Sequence, residues 1–228
     1  MSRQGGFTLI EIAIVIVILG LLLGSVLKAQ ELITSARVRT LISQQDGIRA
    51  AFLGFTDRYR ALPGDYNQAT TNIAGVIGCG GNGDGDGRIE DATATPASME
   101  SVLVWEHLSK SGFINGTYTC NSVESNLTTP VNLYLSRLQL AWDSQYAPGS
   151  PPPAARHNLK TGGQISSDLL GEIDRKVDDG SATGGTFRFS PYAGGVPVAP
   201  DPAKCYQAAA PNEWSSSAEA NCGATTLF

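Results

Sequence analysis

"RQGGFTLIEIAIVIVILG", residues 3–20, sets a pair of glycines before an apolar run suited to a membrane and plants Glu11 inside that run. A carboxylate at the centre of a spanning helix costs roughly 2.5–3.5 kcal/mol on insertion scales, and intramembrane acids usually mark function. From Ile12 to Leu27 no side chain is charged. Those sixteen residues, or about twenty counted from Phe7, lie near the lower limit for a spanning helix. A secretory signal peptide would put a basic start and a short apolar region ahead of a small-residue cleavage site. Here the small residues, Gly5 and Gly6, come before the apolar stretch, Arg3 is the only charge preceding it, and no A-x-A pattern follows. Cleavage at the glycines would remove a short hydrophilic leader and keep the hydrophobic segment.

Gly6-Phe7-Thr8-Leu9-Ile10-Glu11, followed by that apolar run, resembles the prepilin signature of type IV pilins and type II secretion pseudopilins. The resemblance implies that a prepilin peptidase cuts between Gly6 and Phe7, that Phe7 is then N-methylated, and that Glu11 becomes the fifth mature residue. It also implies that a neighbour's amino group pairs with Glu11 inside the filament, which would offset the cost of a buried carboxylate and set the register of an incoming subunit. Many type IV pilins carry a proline where Lys28 stands. Gly20, Gly24 and Gly47 are the weak points available instead, each costing roughly 1 kcal/mol relative to alanine. A plain single-span anchor with a coincidental glutamate is the other reading of this segment.

Beyond the membrane stretch, Leu41, Ile48, Phe52, Phe55, Tyr59 and Leu62 recur at three- and four-residue steps, with Gln45 filling the gap. Pro63-Gly64 marks the stop. A helix over about 7–61 would be roughly 80 Å long at 1.5 Å per residue. Four segments follow: a leader over 1–6, a membrane and assembly half over 7–33, an amphipathic half over 34–62, and a head over 63–228. Within the head, residues 99–114 and 166–180 read as short helices, the second with Ser167 as its cap and Gly180 after it. "VNLYL" (131–135), "GTFRFS" (185–190) and "GVPVA" (195–199) read as strands, and 148–164 as a surface loop. The fold expected is α+β and pilin-like: a long amino-terminal helix with a small antiparallel sheet and two short helices.

Net charge is −5, which argues against a nucleic-acid partner, since that needs a basic face. His107 and His157 have no neighbours at metal-ligand spacing, and no G-x-S-x-G, H-E-x-x-H or phosphate loop occurs. No catalytic residue is assigned, and His107 reads as structural. Asp178-Asp179 before Gly180 reads as a helix terminus or turn. Asn115-Gly-Thr and Asn126-Leu-Thr are formal glycosylation sequons, incidental in a chain with a prokaryotic leader.

The four cysteines lie in the part expected outside the cytoplasm, where disulfides persist. Four cysteines allow three pairings. Cys79–Cys120 and Cys205–Cys222 are favoured because each pair brackets a loop-rich region, and the second would pin the tail, as in many pilins. Zinc is the rival, but no C-x-x-C and no adjacent histidine supports it.

"GGNGDGDGRIED", residues 80–91, alternates Asn82, Asp84 and Asp86 with glycines. Calcium loops place ligands at the first, third and fifth positions, a glycine at the sixth and a backbone carbonyl at the seventh. Counted from Asn82, Gly87 is sixth, Arg88 offers the carbonyl, and Glu90 is ninth. The twelfth position is Thr93 rather than glutamate, so Asp91 or Glu100, the latter favoured, must close the sphere. A structural calcium ion is therefore expected, against the blander reading of a solvated Gly-Asp turn.

The function expected is that of a structural subunit of a type IV pilus-like or secretion pseudopilus filament. Its partners would be prepilin peptidase and other copies of itself or related pilins. The subunit would sit as a single pass in the bacterial inner membrane, its head periplasmic or extracellular. The alternative is a membrane-anchored extracytoplasmic binding domain that never polymerises.

Overall fold

A computed structural model describes residues 8–90, 99–121, 123–146, 153–207 and 212–228. The chain divides into two compact units, Met1–Arg39 and Thr40–Phe228. Helix α1, Leu9–Tyr59, begins in the first and ends in the second. Its last turn closes with the Arg60 N–H donating to Thr56 O at 2.9 Å, and Arg60 turns into left-handed backbone, φ 55°. This left-handed residue ends the helix before Pro63 is reached.

In the second unit, the stripe on α1 forms one wall of the core. Ile48, Ala51, Phe52 and Phe55 pack with Ile73, Val76 and Ile89, with Trp105 and Leu108, and with Leu138, Leu140 and Leu159. Leu41 and Gln45 of the same stripe are buried too, while Tyr59 and Leu62 are partly buried. Helix α2, Ala69–Asn72, is a single turn. Helix α3, Glu100–Lys110, ends where Gly112 takes φ +80°, as the sequence indicated.

Four antiparallel strands follow in the order β1-β2-β4-β3. They are β1 (Gln139–Asp143), β2 (Arg156–Lys160), β3 (Phe187–Phe189) and β4 (Ala224–Leu227). Leu140 pairs with Leu159, Leu159 with Thr226, and Thr226 with Phe187, so the register runs in one line across the sheet. Helix α4, Ser167–Val177, precedes β3, and the four-residue α5, Pro202–Cys205, precedes β4.

Three readings of local structure need correction. "VNLYL" is not a strand: Asn132 Oδ1 accepts the N–H groups of Tyr134 and Ser136, Leu135 takes φ 64°, and only a bridge from Val131 to Arg137 remains. "GVPVA" is turn and bend following Gly194 and Gly195, both at positive φ. The stretch 148–164 holds β2; Pro151 and Pro152 lie outside the described residues. In addition, Ser166 rather than Ser167 occupies the cap position of α4, because Ser167 is tied to the tail: its N–H donates to Glu219 O and its Oγ accepts the Glu219 N–H, both at 3.0 Å.

Candidate functional site

Gly6 and Phe7, the expected processing pair, lie outside the described residues. Thr8 and Glu11 are described, and they close on each other. The Thr8 N–H and hydroxyl donate to Glu11 Oε2 at 2.8 and 2.7 Å, and the Glu11 N–H donates to Thr8 Oγ1 at 3.3 Å. This reciprocal pattern is a capping box, which satisfies backbone donors that the first turn leaves orphaned. Its signal, "TLIE" at residues 8–11, is legible, yet reading Glu11 only as a partner for a neighbouring subunit overlooks it.

The segment after this cap is exposed among the described residues. Every large apolar side chain from Leu9 to Ile33 is between 46% and 88% exposed. An apolar surface of this extent is not stable in water and marks contact with lipid or protein. By length and composition α1 is able to cross a membrane. An added Cβ at Gly20 or Gly24 would meet nothing within 4 Å, so neither glycine is required by packing within this chain.

The second candidate region is the loop 80–90, held by buried acids on flanking segments. Asp65, 4% exposed, accepts the Gly85 N–H on Oδ1 at 2.6 Å and the Gly87 N–H on Oδ2 at 3.0 Å. Glu100, 1% exposed, accepts the Asp84 N–H at 3.0 Å and the Glu90 N–H at 3.2 Å. Asp84 and Asp86 each accept an N–H two residues on, from Asp86 and Arg88. The loop is thus threaded on carboxylates. Close approach requires glycine at position 83, where a Cβ would fall 2.3 Å from Gly64 O.

The residues expected to bind an ion are distributed unevenly. Asp84 and Asp86 come together with Asp65, each offering an oxygen within 4.8 Å of the others. Asn82 turns elsewhere, its Oδ1 accepting the Thr70 N–H at 2.9 Å and its hydroxyl at 3.2 Å. Both oxygens of Glu100 are engaged by backbone donors, and burial pushes its carboxyl up to about 7. The Arg88 guanidinium lies 5.9 Å from the centre of the Trp142 ring, and Glu90 is exposed. Asp91 and Thr93 lie outside the described residues. Asp65 has no periodic relation to the loop, and no sequence signal singles it out. Burial raises its carboxyl above the usual range, and the charges of Asp86 and Asp84 add to that.

Helix α3 supplies the remaining anchors. Glu106, fully buried, accepts the N–H groups of Ile77 at 2.8 Å, Gly78 at 3.1 Å and Cys120 at 2.7 Å. His107 Nδ1 accepts the Gly64 N–H at 2.9 Å, and its Nε2 lies 2.9 Å from Gly81 O. These bonds fix the tautomer of a buried neutral imidazole, and burial lowers its pKa. His157, on β2, packs between Phe52 and Trp142.

Two disulfides join Cys79 to Cys120 and Cys205 to Cys222. A second acid group, Asp174, Asp178 and Asp179, closes the end of α4. Asp174 accepts the Trp214 indole N–H at 2.7 Å and the Gly180 N–H at 3.2 Å. Asp178 takes the Phe187 N–H at 2.9 Å and Asp179 the Ser181 N–H at 2.8 Å. These acids do what the sequence indicated: they form a helix terminus and turn.

Comparison with protein families finds the prokaryotic N-terminal methylation motif over residues 1–27. Comparisons with curated proteins and with solved structures find no match. The glycine pair Gly5-Gly6, the capped glutamate and the first part of the exposed apolar stretch thus fall in one short region, and over residues 1–27 the chain carries the type IV pilin and pseudopilin signature, the mark of a pilin-like precursor.

Proposed function

We propose that the mature chain is a structural subunit of a type IV pilus-like or type II secretion pseudopilus filament, cleaved after Gly6 and methylated at Phe7 by prepilin peptidase. The observation that carries this reading is the methylation motif joined to an apolar stretch of α1, Leu9 to Ile33, whose large side chains are left exposed among the described residues. Lipid covers them before assembly, and the helices of other copies or of related pilins cover them afterwards. The subunit first resides in the inner membrane as a single pass, with its disulfide-bonded head on the oxidising, extracytoplasmic side. Its work is structural rather than enzymatic. The test joins mass spectrometry of the mature amino terminus with the copy number of the chain in sheared filaments. A methylated Phe7 terminus and incorporation into filaments are expected. Retention of residues 1–6 with no filament incorporation would instead select a membrane-anchored, non-polymerising binding domain.

For the loop 80–91 the proposed role is a structural calcium site built around Asp65, Asp84 and Asp86. Its support is the convergence of three hard oxygen donors on a loop whose Gly85 and Gly87 N–H groups are already held by Asp65. Calcium would relieve the repulsion among these carboxylates and hold a glycine-rich segment in place. Isothermal calorimetry of the detergent-solubilised full chain with calcium tests this.

A further inference from the structure

Six Asn-Gly or Asp-Gly steps occur in the chain, at Asp46, Asn82, Asp84, Asp86, Asn115 and Asp179. Such steps share one weakness: the nitrogen of the glycine can attack the preceding side-chain carbonyl, because glycine has no Cβ to obstruct the five-membered ring. The attack needs that nitrogen free of a competing hydrogen bond. In five of the six it is engaged. Gly47 lies inside α1, where its N–H bonds within the helix. Gly83 donates to Tyr66 O at 3.1 Å, Gly85 and Gly87 to Asp65, and Gly180 to Asp174 Oδ1.

Gly116 is the exception. Among the described residues, neither its N–H nor the Asn115 side chain has a hydrogen-bond partner, and Asn115, Gly116 and Thr117 are all exposed. The loop follows α3 and is anchored just upstream, where the N–H groups of Phe113 and Ile114 donate to Leu108 O at 2.9 and 3.3 Å. Asn115 also borders a groove with Gln44, Ile48, Phe113 and Tyr118.

We infer that Asn115 is a site of spontaneous covalent modification, deamidation through a succinimide. The Gly116 nitrogen, giving up its proton to solvent, bonds to the Asn115 side-chain carbon, and the Asn115 amide nitrogen leaves as ammonia. Water then opens the ring at one carbonyl or the other, giving aspartate or isoaspartate at position 115. A negative charge appears beside the groove, and in the isoaspartate form the backbone lengthens by one methylene next to the Phe113 anchor. Asn82 is the internal control, since its own side chain and the following N–H are both held. Each hydrogen bond that must break first slows the attack by roughly twofold to tenfold.

The full chain, purified in detergent with its disulfides intact, is incubated in mildly alkaline buffer, digested, and mapped by mass spectrometry with isoaspartate-specific labelling. Position 115 is expected to convert roughly tenfold or more faster than position 82, given three hydrogen bonds at Asn82 and Gly83 against none. In reduced, denatured chain the two positions should convert at similar rates, and Asn115→Gln should abolish the product at 115 while leaving position 82 unchanged. Equal rates at the two positions in the folded chain, or an intact amide at 115 while 82 converts, would overturn the inference.

Discussion

Glu106 on α3 takes the N–H of Cys120 on one carboxylate oxygen at 2.7 Å, and its other oxygen takes the N–H groups of Ile77 and Gly78, next to Cys79. One buried carboxylate therefore holds both chain segments that the Cys79–Cys120 disulfide joins. The fit is tight: a Cβ at Gly78 would lie 2.4 Å from Glu106 Oε2 and from Cys120 O. Glu106→Ala strands two buried donors, Gly78 and Cys120, each worth about 1–3 kcal/mol when left unsatisfied, and a third at the exposed Ile77 that water can reach. A loss of at least about 2 kcal/mol in denaturant unfolding, with the disulfide still formed, is the expected result. A loss below about 1 kcal/mol would mean that water replaces the carboxylate and that the anchor is dispensable.

The loop makes a second prediction through Asp65. Calcium at millimolar concentration should raise the melting temperature of the full chain in detergent, because an ion that binds only the native state stabilises it by mass action. The double substitution Asp84→Ala/Asp86→Ala should remove the shift. Asp65→Asn should remove it too and also lower the baseline, since Asp65 carries the Gly85 and Gly87 N–H bonds. Asn82→Ala should leave the calcium shift intact, because the Asn82 side chain faces Thr70. No heat of binding and no change in melting temperature would rule the site out.

A third prediction concerns pH. Asp174 is fully buried, and desolvation holds its carboxyl up at about 6 against the bonds from Trp214 and Gly180, which lower it. Desolvation likewise lifts Glu100 to about 7. Both native values exceed the ordinary ones of 3.8 and 4.5, so in these windows the native state holds protons that the unfolded chain has lost. Stability from this source therefore grows as pH falls from 7 toward 4.5 for Glu100 and from 6 toward 3.8 for Asp174, and it is lost as pH rises through the native values. The melting temperature in calcium-free buffer should climb over that descent. Asp174→Asn should flatten the lower part of the slope and Glu100→Gln the upper part. An unchanged slope in both variants would assign the pH dependence to other groups.

The contrast between α1 and β2 shows what could be read from sequence. The stripe Leu41, Ile48, Phe52 and Phe55 is apolar at helical spacing, and it is buried as its spacing requires. Strand β2 reads "RHNLK", with one apolar residue among five. It is a central strand nonetheless, because Asn158 and Lys160 are buried with partners from far along the chain. Asn158 Oδ1 accepts from Thr225 Oγ1 at 3.0 Å, and Lys160 Nζ donates to Gln139 Oε1 at 2.8 Å and pairs with Asp143. Polar residues that supply each other's hydrogen bonds leave no period to detect. Asp65 escapes notice for the same reason: its role exists only once Gly83 lets the loop touch the segment at Gly64.

The last prediction returns to Glu11. Its carboxylate caps its own helix through Thr8, and in the proposed filament it has a second role, as partner to the amino terminus of a neighbouring subunit. The two roles make different demands. Capping needs an acceptor oxygen, which glutamine supplies, whereas pairing with an ammonium in an apolar bundle needs the charge. Glu11→Gln should therefore keep the helix start and processing after Gly6, yet reduce the yield of sheared filaments. Glu11→Val removes acceptor and charge together. It should still insert, because deleting a carboxylate from the first turn of an apolar segment lowers the cost of insertion, and it too should assemble poorly. Thr8→Val removes the hydroxyl from the cap but leaves the carboxylate free to pair, so its filament yield should stay near that of the unaltered chain. If Glu11→Gln assembles normally while Thr8→Val does not, the glutamate serves the cap alone and the intersubunit pairing is wrong.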